Sequence, residues 1–301
     1  MTIGERGGRA GAAGSGPPPG GAAPAVDVLV PTCDRPVELA TTLAGLAAQT
    51  GVSFRVVISD QSAGPAGFDT PSAATLIAAL RRRGTAVELH RHLPRRGIAE
   101  HRAFLLSRAS AGAVLLLDDD VWLEPGVLDR LHRALSELGC GFVAASVQGL
   151  SHLHDRRPHE CAPFEAWDGP VRPETVLKDG PGWARWTLHN AANGLHLAER
   201  LGLDTGALPP PGTWLPYKVA WAAGCVLFDR AALLESGGFD FWREIPADSH
   251  GEDVLSQQRV MAAHGGAGIL PSGAYHQQSP TSIPVRSASA VDLLPLRSPP
   301  G

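Results

Sequence analysis

Short apolar runs and segments with helical spacing alternate along the first half of the chain. Val26–Pro31 reads VDVLVP and ends in a turn, and Arg35–Gln49 then places Val37, Leu39, Leu43, Leu46 and Ala47 at helical intervals. The same alternation predicts strands at Phe54–Asp60, Ala86–His90, Ala113–Leu117 and Gly141–Val147, with helices at Ser72–Arg83, Ile98–Ser110 and Pro125–Leu138 between them. Strands without internal polar alternation are expected where helices cover both faces of a sheet. Alternation with helices of this length predicts βαβ units, so the fold class is α/β with a mostly parallel central sheet.

The rhythm breaks from Gln148 to about Pro216, where Pro, Gly, Trp and His are frequent and only Ala184–Arg200 has helical spacing. A stretch of that length without periodicity reads as functional loop. Order returns with a strand over Ala220–Phe228, helices over Arg230–Glu235 and Glu252–His264, and a strand at Ala267–Leu270. Four regions follow: a disordered Gly/Ala/Pro-rich tail over 1–25, an α/β half over 26–147, a less periodic half over 148–276, and a loosely ordered Ser/Pro-rich end over 277–301 in which Val291–Leu296 could dock.

Composition narrows the classes. The 301 residues are 44% apolar and 19% charged, with a formal charge of −4, which offers no electrostatic footprint for nucleic acid. Cys33, Cys140, Cys161 and Cys225 form no CxxC pair, so free thiols are expected. No apolar run approaches the roughly 18 residues of a membrane span, and the N-terminus lacks a signal-like apolar block; the expectation is a cytoplasmic protein.

Chemistry concentrates in LLLDDDVWLEPG, residues 115–126, where an apolar strand delivers three carboxylates to its C-terminal end. Ligands bind at that edge of open α/β sheets. In extended backbone Asp118 and Asp120 leave on one side and Asp119 on the other, so the first two are candidate ligands for a divalent cation. A second feature, GGFDFWREIPADSHGEDVLSQQRV, residues 237–260, puts Glu252 and Asp253 at a helix start, where helix capping or a general-base role both suit a carboxylate. Arg95 and Arg96 are candidates for reaching a diphosphate. His152, His154 and His159 read as solvated loop histidines, and Arg81–Arg83 as a basic helix end.

Taken in order, VPTCDRP, Asp60, GIAEHR, the DDD run, GCVLFDRAALLESGGFD and GED resemble the family 2 glycosyltransferases of the GT-A fold over residues 26–147 and 219–276. The resemblance implies a Mn2+- or Mg2+-dependent transfer of one sugar from a UDP-, GDP- or dTDP-sugar to an acceptor hydroxyl, with inversion. It implies that Pro31, Thr32 and Arg35 line the base pocket and that Asp60 contacts base or ribose. Gly97, Arg102, Asp118 and Asp119 would meet the rest of the donor. Asp118, Asp120 and His276 would hold the metal, and Asp253 with Glu252 beside it would be the base. Trp242, which lies between GGFD and GED, and Gly238 are the expected acceptor contacts. With these roles the resemblance makes 26–147 the nucleotide-sugar-binding half and 148–276 the acceptor-binding and catalytic half. Competing readings are a sugar-phosphate nucleotidylyltransferase, disfavoured because CDRP stands where a Gly-rich basic loop belongs, and a non-catalytic nucleotide-sugar-binding protein.

Overall fold

The computed structural model describes residues 23–203, 213–281 and 286–296. The N-terminal tail up to residue 22 lies outside them.

The first half follows the expected order: β1 (Val26–Thr32), α1 (Pro36–Ala47), β2 (Phe54–Asp60), α2 (Pro71–Arg82), β3 (Ala86–Arg91), α3 (Ile98–Ser107) and β4 (Ala113–Leu117). Next come β5 (Val121–Leu123), α4 (Val127–Leu138), β6 (Phe142–Ala144) and β7 (Gln148–Gly149). The second half holds α5 (Asn193–Arg200), β8 (Leu215–Tyr217), β9 (Cys225–Asp229), α6 (Arg230–Glu235), α7 (Glu252–His264), β10 (Gly266–Leu270), β11 (Ala274–His276) and α8 (Ala290–Leu293). Pro36 and Pro71 open α1 and α2, where a missing N–H costs nothing.

Eight strands form one sheet in the order β3-β2-β1-β4-β9-β6-β10-β8. The strands are parallel except β9, which runs against both β4 and β6, and β8, which runs against β10. Every residue of β1 and β4 is buried, and their side chains alternate between two cores: Val26, Val28, Val30 and Leu115 face one, and Leu29, Val114 and Leu116 the other. The uninterrupted apolar runs are therefore the mark of a sheet covered on both faces.

A second sheet, β5-β11-β7, sits at the C-terminal edge of β4. Its register sets His276 opposite Val121 and so beside Asp120. The single helix expected over Ala184–Arg200 is two pieces, a 3-10 turn at Trp183–His189 and then α5. The strand expected from Ala220 begins only at Cys225, because Ala222 is held by the Gln257 side chain through both its N–H and its carbonyl. Within the end expected to be loose, the part expected to be able to dock does so: α8 packs against α7, with Ala290 fully buried and its N–H bonded to the His250 carbonyl.

Candidate active site

Past the C-terminal ends of β1, β2 and β4 lies a cleft of about 1190 Å³. It gathers most of the residues expected in a site: Pro31, Thr32, Arg35, Gly97, Arg102, Asp118, Asp119, Asp120, Glu252, Asp253 and His276 all line it.

The three aspartates do not follow strand alternation. β4 ends at Leu117 and the chain turns at once into β5, so the three carboxylates meet different sets of partners, with Arg35 shared by the last two. Asp118 Oδ1 accepts from Arg102 at 2.9 Å. Asp119 accepts from the Thr32 hydroxyl at 2.7 Å and from Arg35 at 3.0 Å, while Thr42 donates to the Asp119 carbonyl. Asp120 Oδ2 accepts from Arg35 at 2.6 Å and faces His276 Nε2 at 3.3 Å. Burial pushes the Asp119 carboxyl up to about 7 despite its bonds to Thr32 and Arg35. For Asp120 burial acts the same way, but His276 and Arg35 outweigh it and hold the group below its ordinary value.

Arg102 ties this turn to α7. Its Nε donates to Glu252 at 2.9 Å as its terminal nitrogen donates to Asp118. Burial would weaken its charge, but Asp118, Glu252 and Asp253 around it raise its pKa further. Glu252 is thus consumed by an ion pair. Among the described residues Asp253 accepts only from the Val254 N–H; burial, then repulsion by Glu252 and Asp118, push it up to about 7 against the pull of Arg102. A carboxylate poised near neutrality in a cleft suits general-base work.

A divalent cation fits part of this arrangement. Among the described residues Asp118 Oδ2 and Asp120 Oδ1 make no hydrogen bond, and both aspartates line the cleft, an oxygen pair suited to a hard cation completed by phosphate. His276 does not fit as a ligand in its present state. The Gln278 N–H donates to its Nδ1 at 2.8 Å, so the neutral ring carries its proton on Nε2 and donates to Asp120. A metal-bound imidazole would need the opposite tautomer. Among the described residues no three His, Cys, Asp or Glu side chains converge as a ready metal cluster.

Three expected contacts lie elsewhere. Asp60 is fully buried and does not line the cleft: its two oxygens accept from the backbone N–H groups of Ser62 and Gly67, shaping the loop after β2. Trp242 packs on the α7 side under the guanidinium of Arg243, 4.6 Å from the ring centre. Gly238 is buried in the turn after α6, its carbonyl accepting from Ser256. Neither lines the cleft; Trp183 and Trp221 do. Of the basic pair, Arg95 lines it and Arg96 does not.

Sequence reading also missed Gln61, Lys178, His250, Arg286 and Asp292, all cleft residues. Only Gln61 carries a local signal, because it directly follows a strand that ends at the ligand edge. Gly97 was foreseen, and its role is steric: at φ +101° a Cβ there would lie 2.4 Å from the Ala247 carbonyl.

Residues 27–164 match the family described as glycosyl transferase family 2. The matched stretch is 138 of the 301 residues, just under half of the chain. Similar solved structures include S. aureus TarS, at 18% identity over 85% of this chain and 37% of that one, with a TM-score of 0.47. TarS 1–349 in complex with UDP-GlcNAc is 16% identical over 86% and 60%, with a TM-score of 0.48. The mannosyltransferase PcManGT from Pyrobaculum calidifontis, in complex with GDP-Man and Mn2+, is 18% identical over 81% and 56%, with a TM-score of 0.46. The chain thus spans between 37% and 60% of the length of these three. No curated protein matches it. Among the described residues no helix is long and apolar enough to cross a membrane.

Proposed function

We propose that the protein transfers a single sugar from a nucleoside-diphosphate sugar to an acceptor hydroxyl, with inversion at the anomeric carbon. The observation that carries this reading is that Asp253 and the Asp118–Asp120 turn line one cleft, joined through Arg102. In this reading Pro31, Thr32 and Gln61 flank the base, and Arg95 faces the diphosphate. Asp118 and Asp120 would hold Mn2+ or Mg2+, which when bound would offset the charge that gathers on the leaving diphosphate. His276 keeps Asp120 ionised and aimed by donating to it. Asp253 accepts the proton of the acceptor hydroxyl as the oxygen attacks the anomeric carbon from the face opposite the leaving group. Arg102 keeps Asp253 and the aspartate turn in fixed relation. Trp183 and Trp221 offer flat apolar surfaces for an acceptor, in the place first assigned to Trp242.

The test is calorimetric titration with UDP-, GDP- and dTDP-sugars, with and without Mn2+, repeated on Asp120→Asn. Binding should strengthen with Mn2+ in the parent and lose that dependence in the variant. Metal-independent binding in both would remove the cation from the account. Pyrophosphate release from a nucleoside triphosphate and a sugar phosphate would point instead to nucleotidyl transfer.

A further inference from the structure

Among the described residues, five arginine and lysine side chains line the cleft. Three are neutralised: Arg35 pairs with Asp119 and Asp120, Arg102 with Asp118 and Glu252, and Lys178 with Asp292. The other two, Arg95 and Arg286, have no carboxylate partner among the described residues. A lone exposed cation is ordinary on a protein surface, but these two share a cleft in which every other arginine and lysine is paired. The chain brings them there from opposite ends. Gly97, two residues after Arg95, packs on the Ala247 backbone. Ser287, next to Arg286, bonds Asp248 through both its N–H and its hydroxyl, at 3.3 and 2.7 Å. The two segments therefore meet on adjacent residues at the cleft rim. Arg95 lies near enough to Cys33 and His101 for its charge to act on both, which sets it between the end of β1 and α3. Arg286 donates to the Thr281 hydroxyl at 3.3 Å, one residue from the Pro280 carbonyl that accepts from Arg35. That connection ties Arg286 to the side of the aspartate turn.

We infer that Arg286 is a diphosphate-binding residue, closing with Arg95 on the phosphate of the donor that lies farther from the nucleoside. The inference rests on the proposed nucleotide-sugar reading and extends that site to the C-terminal segment. A diphosphate entering this cleft meets the carboxylates of Asp118, Asp119, Asp120, Glu252 and Asp253, and draws on positive charge that is not already spent. A cation at the aspartate turn would meet one face of the diphosphate, and the two unpaired guanidinium groups are left to meet another. Guanidinium suits this work because its planar fork can donate two parallel hydrogen bonds to phosphate oxygens. A nucleoside monophosphate lacks the outer phosphate, so this grip separates diphosphate from monophosphate. A phosphate carried by the acceptor would present the same chemistry. The connection from Arg286 through Thr281 and Pro280 to Arg35 favours the donor.

The experiment is calorimetric titration of the full chain, with Mn2+ present, against UDP and UMP, GDP and GMP, and dTDP and dTMP. The proteins are the parent, Arg286→Met, Arg286→Lys and Arg82→Met. Arg82 is exposed at the end of α2 and outside the cleft, so its variant makes the same change in net charge elsewhere. For the nucleoside that the parent binds best, Arg286→Met should weaken the diphosphate by about tenfold, the worth of one charge-assisted hydrogen bond. The monophosphate should weaken by less than about twofold, because it lacks the group that Arg286 grips. Arg286→Lys should recover part of the loss, and Arg82→Met should change neither ligand. Circular dichroism melts establish that each variant is folded at the titration temperature. A diphosphate-to-monophosphate ratio unchanged in Arg286→Met, or lowered equally by Arg82→Met, would overturn the inference and leave the glycosyltransferase reading standing. An unchanged ratio with weakened binding of inorganic phosphate would also overturn it, by placing Arg286 at a phosphate of the acceptor. Failure of the parent to bind any of the six nucleotides would overturn both.

Discussion

Replacing Arg102 with Met tests whether one guanidinium holds the two halves of the cleft together. Met fills much of the same volume but leaves Asp118, Glu252 and Asp253 without their shared counter-charge. The side chains of Arg102 and Glu252 are 7% and 6% exposed, so this pair is effectively dry, whereas Asp118 at 35% is partly screened by water. Breaking a buried pair costs about 3–5 kcal/mol, and the screened second arm argues for the lower end, about 3 kcal/mol. For a domain of this class each kcal/mol lowers Tm by roughly 2–4 °C, so the melt should fall by roughly 6–12 °C. Thermal melts of the parent, Arg102→Met, Glu252→Gln and the double variant give the coupling directly. Removing the stranded charge in the double variant should recover a large part of the loss. The gap to the parent should also narrow as pH falls and the stranded carboxylates take up protons. A loss below about 1 kcal/mol, or additive single effects, would refute the claim that this pair joins the aspartate turn to α7.

Asp253→Asn should keep nucleotide binding and cut sugar transfer by about 10²–10⁴-fold, measured as single-turnover transfer; equal turnover would take Asp253 out of the base role. In the parent, transfer should rise as pH climbs through about 7, where the Asp253 carboxyl loses its proton. Because that pKa lies above the ordinary 3.8, the fold binds a proton over this window that the unfolded chain has released. Its stability contribution is therefore full at low pH and fades as pH rises through about 7, and Asp253→Asn should flatten that slope in urea titrations. Asp27 predicts the opposite trend. Burial alone would raise it, but Arg55 and the N–H groups of Ala111 and Ser110 hold it below 3.8. Asp27→Ala should cost about 3 kcal/mol at neutral pH, with the gap closing as pH falls below the ordinary carboxylate range and with nucleotide affinity unchanged. Gly97→Ala should cost roughly 1–3 kcal/mol and weaken nucleotide binding, because the new methyl drives the loop before α3 off the Ala247 carbonyl; unchanged affinity would count against that loop's part in the cleft.

The sheet from β1 to β4 was readable because strands covered on both faces leave unbroken apolar runs, and Asp118–Asp120 follow one of them directly. The three-residue strands β5 and β11 are too short for any period to show, yet they bring His276 to Asp120. Asp60 was expected at the base or ribose only through the family resemblance, and an acid at the end of a strand does not by itself tell a carboxylate facing a ligand from one that accepts its own loop's N–H groups. Trp242 was chosen for its nearness in sequence to GED, but the turn after α6 packs it on the protein side. The cleft-lining Trp183 sits in the stretch where periodicity fails. Arg286 became visible only where the last segment folds back onto Asp248, a property of three dimensions.

The central claim is that this cleft cleaves a nucleotide sugar with the aspartate turn at the leaving diphosphate. The most direct measurement is the release of free nucleoside diphosphate from a panel of nucleotide sugars with Mn2+, compared between the parent and an Asp118→Asn/Asp120→Asn double variant. Release by the parent, lost in a double variant that still melts as a folded protein, is the predicted result. Undiminished release by the double variant, or none by the parent with any sugar nucleotide and a broad set of glycoside acceptors, would contradict the account.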